Sequence, residues 1–153
     1  MYSLSLSDKY TSSAILQIAD DRSQDSSSNI ISGLSGLGLS AKTSNVSLAI
    51  NTLKSRELLS RIIINNDILP QIFAPKSFNM SDKSIIFYED LYNSDTKEWI
   101  RKDYSPLRTV TPSLLEAYEE FNDSLKVNLN DSNIIEISYT HLSPVFAAEI
   151  LEL

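Results

Sequence analysis

Two short runs of alternating residues near the carboxyl end constrain the fold of this chain more than any other feature. Leu125–Leu129 and Ile134–Thr140 alternate apolar and polar side chains, with Asn130-Asp131-Ser132-Asn133 between them. A period of two residues is typical of strands, and the polar segment has turn composition. The pattern therefore predicts a β-hairpin. Helical patterns precede and follow it and a strand pattern opens the chain, which predicts an α+β fold: a mixed sheet with helices packed on one face.

The residues after the hairpin predict the start of a helix. Ser143 is a good N-cap because its hydroxyl accepts a hydrogen bond from an amide of the first turn. Pro144 suits the first helical position, where a missing N–H costs nothing. No Gly, Asn or basic residue in Val145–Leu153 closes the helix. We therefore expect the chain to enter a longer helix and to be a fragment of a larger protein.

The other segments follow the same periodicities. Tyr10–Ile18 alternates as a strand, like Leu4 and Leu6 before it. Thr43–Asn66 has helical spacing, with a break near Lys54-Ser55 where Ser55 caps a second helix.

Three further segments carry weaker patterns. Ile85–Tyr88 fits either a strand or a buried helix, and Asp95–Arg101 predicts a short helix around Trp99. Thr111-Pro112 predicts another helix start, in the form of a cap followed by proline. The apolar face of that helix is expected to be Leu114, Leu115, Tyr118 and Phe121.

Size and charge exclude several classes of protein. At 153 residues and 42% apolar composition, the chain is expected to form one domain over residues 1–153. The net charge of −7 argues against nucleic acid and against anionic membrane surfaces, since both are bound by basic residues. No apolar run approaches the length of a spanning helix, and no signal-peptide pattern opens the chain. The absence of cysteine excludes disulfides and thiolate metal sites.

Candidate chemistry is sparse. His141 is the single histidine, and a structural or exposed role is favoured over a general base. Asp20, Asp21 and Asp25 lack the glycine and terminal glutamate of a calcium loop. The sequence predicts no catalytic, cofactor-binding or metal-binding residue and no enzyme. Two sets have a structural and a functional interpretation, and the structural one is favoured for both: a solvated acidic helix face (Glu116, Glu119, Glu120, Asp123), and aromatic residues that either pack or bind sugar (Tyr92, Trp99, Tyr104).

All three glycines lie in Gly33–Leu39, spaced as G-x-x-G-x-G. The spacing fits neither a dinucleotide fingerprint nor a P-loop. One interpretation is a flexible or tightly turned apolar loop. The other is a contact surface, in which Leu34, Leu37 and Leu39 are candidate oligomer contacts.

Three motifs together resemble one family. Tyr2–Leu16, with Asp8, Tyr10 and Ser12, is similar to the strand after the first transmembrane helix in the Wzz-type chain-length determinants, the bacterial polysaccharide co-polymerases. Ser7 stands where that family has proline. Leu53–Leu59 is similar to the family's Leu-Lys-Ser-Arg segment, which places Ser55 and Arg56 among the family-motif residues. Ile135–Ala147 resembles its strand leading into Ser-Pro-x-x-Ala, with Ser143 and Pro144.

The resemblance implies the periplasmic base domain of a bacterial inner-membrane protein. Family members have two transmembrane helices, a base near the membrane and a long projecting helix, and they form closed homo-oligomers. They regulate the chain length of O-antigen, capsule or similar polysaccharide without catalysis, beside a membrane polysaccharide polymerase and the growing polysaccharide. The resemblance thus implies a role in lipopolysaccharide or other polysaccharide biosynthesis. The alternative is an extracytoplasmic ligand-binding or sensor module. Arg56, as the charge within its motif, is expected to be partly buried and paired with a carboxylate or carbonyls.

Overall fold

The predicted hairpin forms two strands of a three-stranded antiparallel sheet in the computed structural model. The structure describes residues 8–17, 45–102, 109–130 and 134–153. Within these ranges the strands are β1 (Tyr10–Gln17), β2 (Pro75–Asn79), β3 (Ser84–Phe87), β4 (Tyr92–Asn93), β5 (Glu98–Trp99), β6 (Leu125–Leu129) and β7 (Ile134–His141). The helices are α1 (Asn45–Leu53), α2 (Arg56–Asn65), α3 (Leu69–Phe73), α4 (Leu114–Ser124) and α5 (Pro144–Ile150). A search of these same ranges for a helix of membrane-spanning length and apolarity finds none.

The central strand of the main sheet is β7, which pairs with β1 on one side and β6 on the other. Its alternation decides which face is buried. Ile135 and Tyr139 are 1% exposed, whereas Glu136 between them is exposed. The opposite face carries exposed polar residues of the outer strands as well, such as Ser13 and Lys126. The sheet therefore has one apolar face and one face turned to water.

The helices α4 and α5 cover the apolar face of this sheet, and α2 and α3 pack against α4. Phe121 of α4 stacks at a tilt on Tyr139, with ring centroids 4.9 Å apart, and Phe146 of α5 meets the same ring edge-on at 6.2 Å. The core is completed by residues of α2 to α5 and β6: Leu59, Ile63, Ile72, Ala117, Leu125, Ala147 and Ile150. The predicted α+β class is confirmed.

The break between the first two helices lies where the sequence predicts it. α1 ends at Leu53, and Ser55 caps α2 by accepting a hydrogen bond from the amide of Leu58 at 3.2 Å. The Tyr118 hydroxyl of α4 donates to the Lys54 carbonyl at 3.3 Å. This bond fixes the break against the core helix.

The helix expected over Asp95–Arg101 is wrong, because the segment is a hairpin. β4 and β5 pair, with Tyr92 opposite Trp99. The Asn93 side chain accepts hydrogen bonds from the amides of Asp95 and Thr96, a pattern by which Asn favours turns over helix. Of the two possibilities for the segment at Ile85, the strand is correct.

The helix start expected at Thr111-Pro112 lies at Ser113 instead. Ser113 and Glu116 form a reciprocal capping box at the start of α4. The expected apolar face is also partly wrong. Leu114 and Leu115 are 41% and 45% exposed, while Ala117 and Phe121 are buried.

Several predictions concern residues outside the described ranges. They are the strand at Leu4 and Leu6, the acidic segment at Asp20, the glycine segment with Leu34, Leu37 and Leu39, and the ring of Tyr104. The single domain over residues 1–153 stays a prediction.

Candidate functional site

The first and third family-like motifs meet at one end of the main sheet. Across the β1–β7 ladder, Tyr10 lies opposite His141 and Ser12 lies opposite Tyr139. The hydroxyls of Thr11 and Thr140 are 2.8 Å apart on the other face. Asp8 lies just before β1 and is exposed. The strand that opens the described chain is thus paired with the strand that leads into α5.

The start of α5 is built as the sequence predicts. The Ser143 hydroxyl accepts a hydrogen bond from the Phe146 amide at 3.1 Å, and Pro144 occupies the first turn. Ser143 is only 1% exposed, so its hydroxyl satisfies an amide that water does not reach. The helix direction is therefore fixed by buried contacts at its first residue.

His141 joins three elements at this point. Its Nδ1 accepts from the Ser143 amide at 3.0 Å, and its Nε2 lies 2.8 Å from the carbonyl oxygen of Gln71 in α3. The ring is 4.6 Å from that of Phe146, centroid to centroid. Burial lowers the pKa of His141 below its ordinary value of 6.5, the Gln71 carbonyl opposes that shift and Lys9 adds to it. Both ring nitrogens have backbone partners, which is the arrangement of a structural histidine.

We name these contacts the β7–α5 joint: His141, Ser143, Pro144, Phe146 and the Gln71 carbonyl. The sequence predicts the cap and the proline of this joint. It does not predict Gln71, which is 70 residues away from His141 along the chain.

The second motif lies apart, at the break between α1 and α2. Ser55 is the predicted cap. Arg56 is not the expected buried residue: it is exposed at the first position of α2, and no ion pair of the described residues includes it. Arg56 and Glu57 are both exposed, whereas Leu59 in the same turn enters the core, so Arg56 lies on the face of α2 turned to water. A groove of about 360 Å³ runs beside the break, lined by Asn51, Thr52, Ser55, Glu57, Leu58 and Arg61.

Among the described residues the buried arginine is Arg101, which sequence reasoning missed. Its guanidinium binds both carboxylate oxygens of Glu116, at 2.9 and 3.3 Å, and donates to the Thr109 carbonyl at 2.6 Å. It also lies 5.3 Å from the centre of the Phe73 ring. This pairing is the first cause of a lowered Glu116 pKa, from 4.5 to about 2. The Ser-x-x-Glu spacing at Ser113 was a readable signal for the capping box, though not for the arginine.

Of the aromatic residues for which packing or sugar binding was considered, Tyr92 and Trp99 are described, and they contact each other. The rings of Tyr92 and Trp99 lie 5.1 Å apart, and Trp99 meets Phe73 edge-on at 6.2 Å. This arrangement favours packing, with Tyr92 buried and Trp99 half-buried.

The acidic helix face is divided between two roles. Glu119, Glu120 and Asp123 are exposed, as expected of a solvated face, whereas Glu116 is half-buried and ion-paired. Among the described residues, no group of three or more His, Cys, Asp or Glu side chains lies close enough to hold a metal ion.

Comparison of the chain with protein-family models, with curated protein sequences and with solved structures finds no match.

Proposed function

We propose that this chain is the periplasmic base domain of a non-catalytic, homo-oligomeric regulator of bacterial surface polysaccharide chain length. The observation that carries the proposal is the pairing of β1 with β7. It brings Tyr10 and Ser12 of the first motif beside the strand that ends in Ser143-Pro144 of the third. Motifs separated by most of the chain thus belong to one structural unit, which is what the resemblance requires of a base from which a helix projects.

The geometry suits control by shape. The β7–α5 joint fixes the direction of α5 through a buried cap, a first-turn proline and the His141 contacts. A regulator that acts through the dimensions of an assembly needs such a fixed angle between base and helix, since each copy repeats any error in a closed ring. Its partners in this proposal are further copies of itself, the membrane polysaccharide polymerase and the growing polysaccharide.

The alternative, an extracytoplasmic ligand-binding or sensor module, would use the groove beside Ser55. Most residues that line it are polar, and Glu57 and Arg61 form an ion pair at 2.6 Å with side chains 76% and 62% exposed. Ligand sites are mostly apolar with a few converging polar groups. The groove therefore supports this alternative less well than the joint supports the first proposal.

Deletion of the complete gene in the bacterium that carries it tests the proposal. We expect surface polysaccharide still to be made, but with its characteristic length distribution lost on gels, and restored by the intact gene. Loss of all polymer would indicate a polymerising enzyme instead. An unchanged length distribution after deletion would contradict the proposal.

A further inference from the structure

His141 is held in one protonation state by its two backbone partners. An amide N–H can only donate, so the Nδ1 atom that faces Ser143 accepts and carries no proton. The Nε2 atom faces a carbonyl oxygen, which can only accept, so Nε2 carries the proton. The neutral Nε2–H tautomer therefore satisfies both partners, and neither of the other protonation states does.

Protonation of the His141 ring would place an N–H donor opposite the N–H donor of Ser143. A proton on Nδ1 would point at the Ser143 amide and break that hydrogen bond, within a site where His141 is 6% exposed. The charged and titratable groups around the ring offer no compensation: Lys9 is cationic, Tyr10 lies opposite on β1, and Tyr139 stacks at 6.3 Å with its pKa raised by burial. α3 contributes a carbonyl and α5 contributes the ring of Phe146. No carboxylate is among the groups that set the protonation of His141.

We propose that His141 makes the β7–α5 joint sensitive to protons: the neutral imidazole fastens the start of α5 to β7 and α3, and the imidazolium releases it. The hydrogen bond that is lost runs from the Ser143 amide to Nδ1 of His141, and Ser143 is the residue that caps α5. Acid should loosen the first turn of this helix before the sheet opens, because the hydrogen bond that protonation breaks belongs to the start of α5 and not to the ladder of the sheet. The proposal concerns the fold of the chain and stands whether or not the proposed function is correct.

A nitrogen NMR experiment tests it directly, because the chain has one histidine and its ring gives a single set of signals. We expect the Nε2–H tautomer near neutral pH and a titration midpoint below 6.5. Protection of the Phe146 and Ala147 amides from hydrogen exchange, taken relative to the intrinsic rate at each pH, should fall as the ring is protonated, while protection of Ile137 in the sheet stays constant. An Nδ1–H tautomer, a midpoint at or above 6.5, or unchanged protection of Phe146 would each overturn the proposal.

A variant that cannot titrate gives the matched control. In His141→Asn the side-chain oxygen can still accept from the amide two residues on, as Asn does in turns. In the native chain the unfolding equilibrium constant should rise by up to about tenfold per pH unit below pH 6.5, since the unfolded state binds one more proton there. The variant should lack this slope, and equal slopes would overturn the proposal. If the variant does not fold, the tautomer and exchange measurements on the native chain decide.

Discussion

At the scale of single residues, the pair of Arg101 and Glu116 organises more of the chain than any predicted site residue. Arg101 is 4% exposed as a side chain and Glu116 16%, so both charges have left bulk water. Such a transfer costs several kcal/mol per ion unless the partners satisfy each other's hydrogen bonds. Here the fork is bidentate, and Glu116 also closes the capping box of α4 through Ser113. One carboxylate thus connects the segment that follows β5 with the start of a core helix.

Glu116→Gln should destabilise the fold by about 2–3 kcal/mol. Glutamine retains the capping-box geometry but leaves the guanidinium of Arg101 buried without a counter-charge. This loss is smaller than the roughly 3–5 kcal/mol typical of fully buried pairs, because Glu116 keeps some exposure. Urea unfolding at neutral pH measures it, and Glu119→Gln, an exposed position on the same helix, should change stability by less than about 0.5 kcal/mol. Equal effects of the two substitutions would show that the pair is not buried in solution.

The same pair predicts a pH dependence. The pKa of Glu116 falls from 4.5 to about 2 on folding, so its contribution to stability is complete above pH 4.5 and is lost as the pH falls toward 2. The difference in stability between the native chain and Glu116→Gln should therefore shrink over this interval. Paired urea titrations from pH 5 downward measure this difference in stability. Its slope with pH should correspond to about one proton bound on unfolding. A constant difference down to pH 2 would contradict the assignment.

Arg56 is the residue for which the sequence interpretation and the structure disagree. An exposed arginine at the start of a helix makes little net contribution, and its charge is slightly unfavourable beside the positive end of the helix dipole. Arg56→Ala should change the free energy of unfolding by less than about 0.5 kcal/mol. Thermal or urea unfolding of this variant measures the change. A loss above about 1 kcal/mol would restore the structural role that the family-like motif suggested.

At the scale of elements, the helices α2 and α4 both begin at a serine cap, and α5 does the same at a more buried serine. Ser143→Ala should cost about 1–2 kcal/mol, because the Phe146 amide is left without a partner where water does not reach it. Ser94→Ala, at an exposed turn, is the matched control and should be neutral. Denaturant midpoints of the two variants test this difference. Equal midpoints would mean that the cap adds nothing to stability.

Local signals predicted the elements whose structure depends on near neighbours. Alternation gave the hairpin and β1, and serine caps gave the starts of α2 and α5. The helix predicted over Asp95–Arg101 failed because the Asn93 side chain accepts a hydrogen bond from the Asp95 amide, which favours a turn over a helix. The prediction also failed at α4, where Pro112 and Ser113 each fit a helix start and only the capping box with Glu116 decides.

Most of the candidate site was beyond prediction because its contacts join distant parts of the chain. The partner of His141 is a main-chain carbonyl of α3, and any residue type supplies a carbonyl, so no sequence pattern marks Gln71. Arg101 and Glu116 are separated by 15 residues, which no helical or strand period brings together. Burial of Arg101 depends on the Phe73 ring and the Thr109 carbonyl, which only the tertiary fold places beside it.

At the scale of the whole molecule, β7 joins elements that lie far apart along the chain. It holds β1 on one side and β6 on the other, and its last residue leads within two positions to the cap of α5. The helix α4 packs against the apolar face of the same sheet, and α2 and α3 pack against α4 within one core. A change in the direction of α5 therefore has to originate at the β7–α5 joint, since the surrounding core is closely packed and resists deformation.

This argument predicts the effect of Pro144→Gly in the full-length protein within cells. Glycine removes the preset backbone angle of the first helical turn and costs the helix start about 1 kcal/mol, too little to unfold the domain. Under the proposed function, the protein should reach its normal level while the polysaccharide length distribution shifts or broadens on gels. Pro75→Gly makes the same replacement at the first residue of β2, outside the β7–α5 joint, and should leave the distribution unchanged. At equal protein levels, a normal length distribution in Pro144→Gly cells would contradict the link between helix direction and polysaccharide chain length. Equal shifts in both variants would show that the effect comes from a general loss of stability.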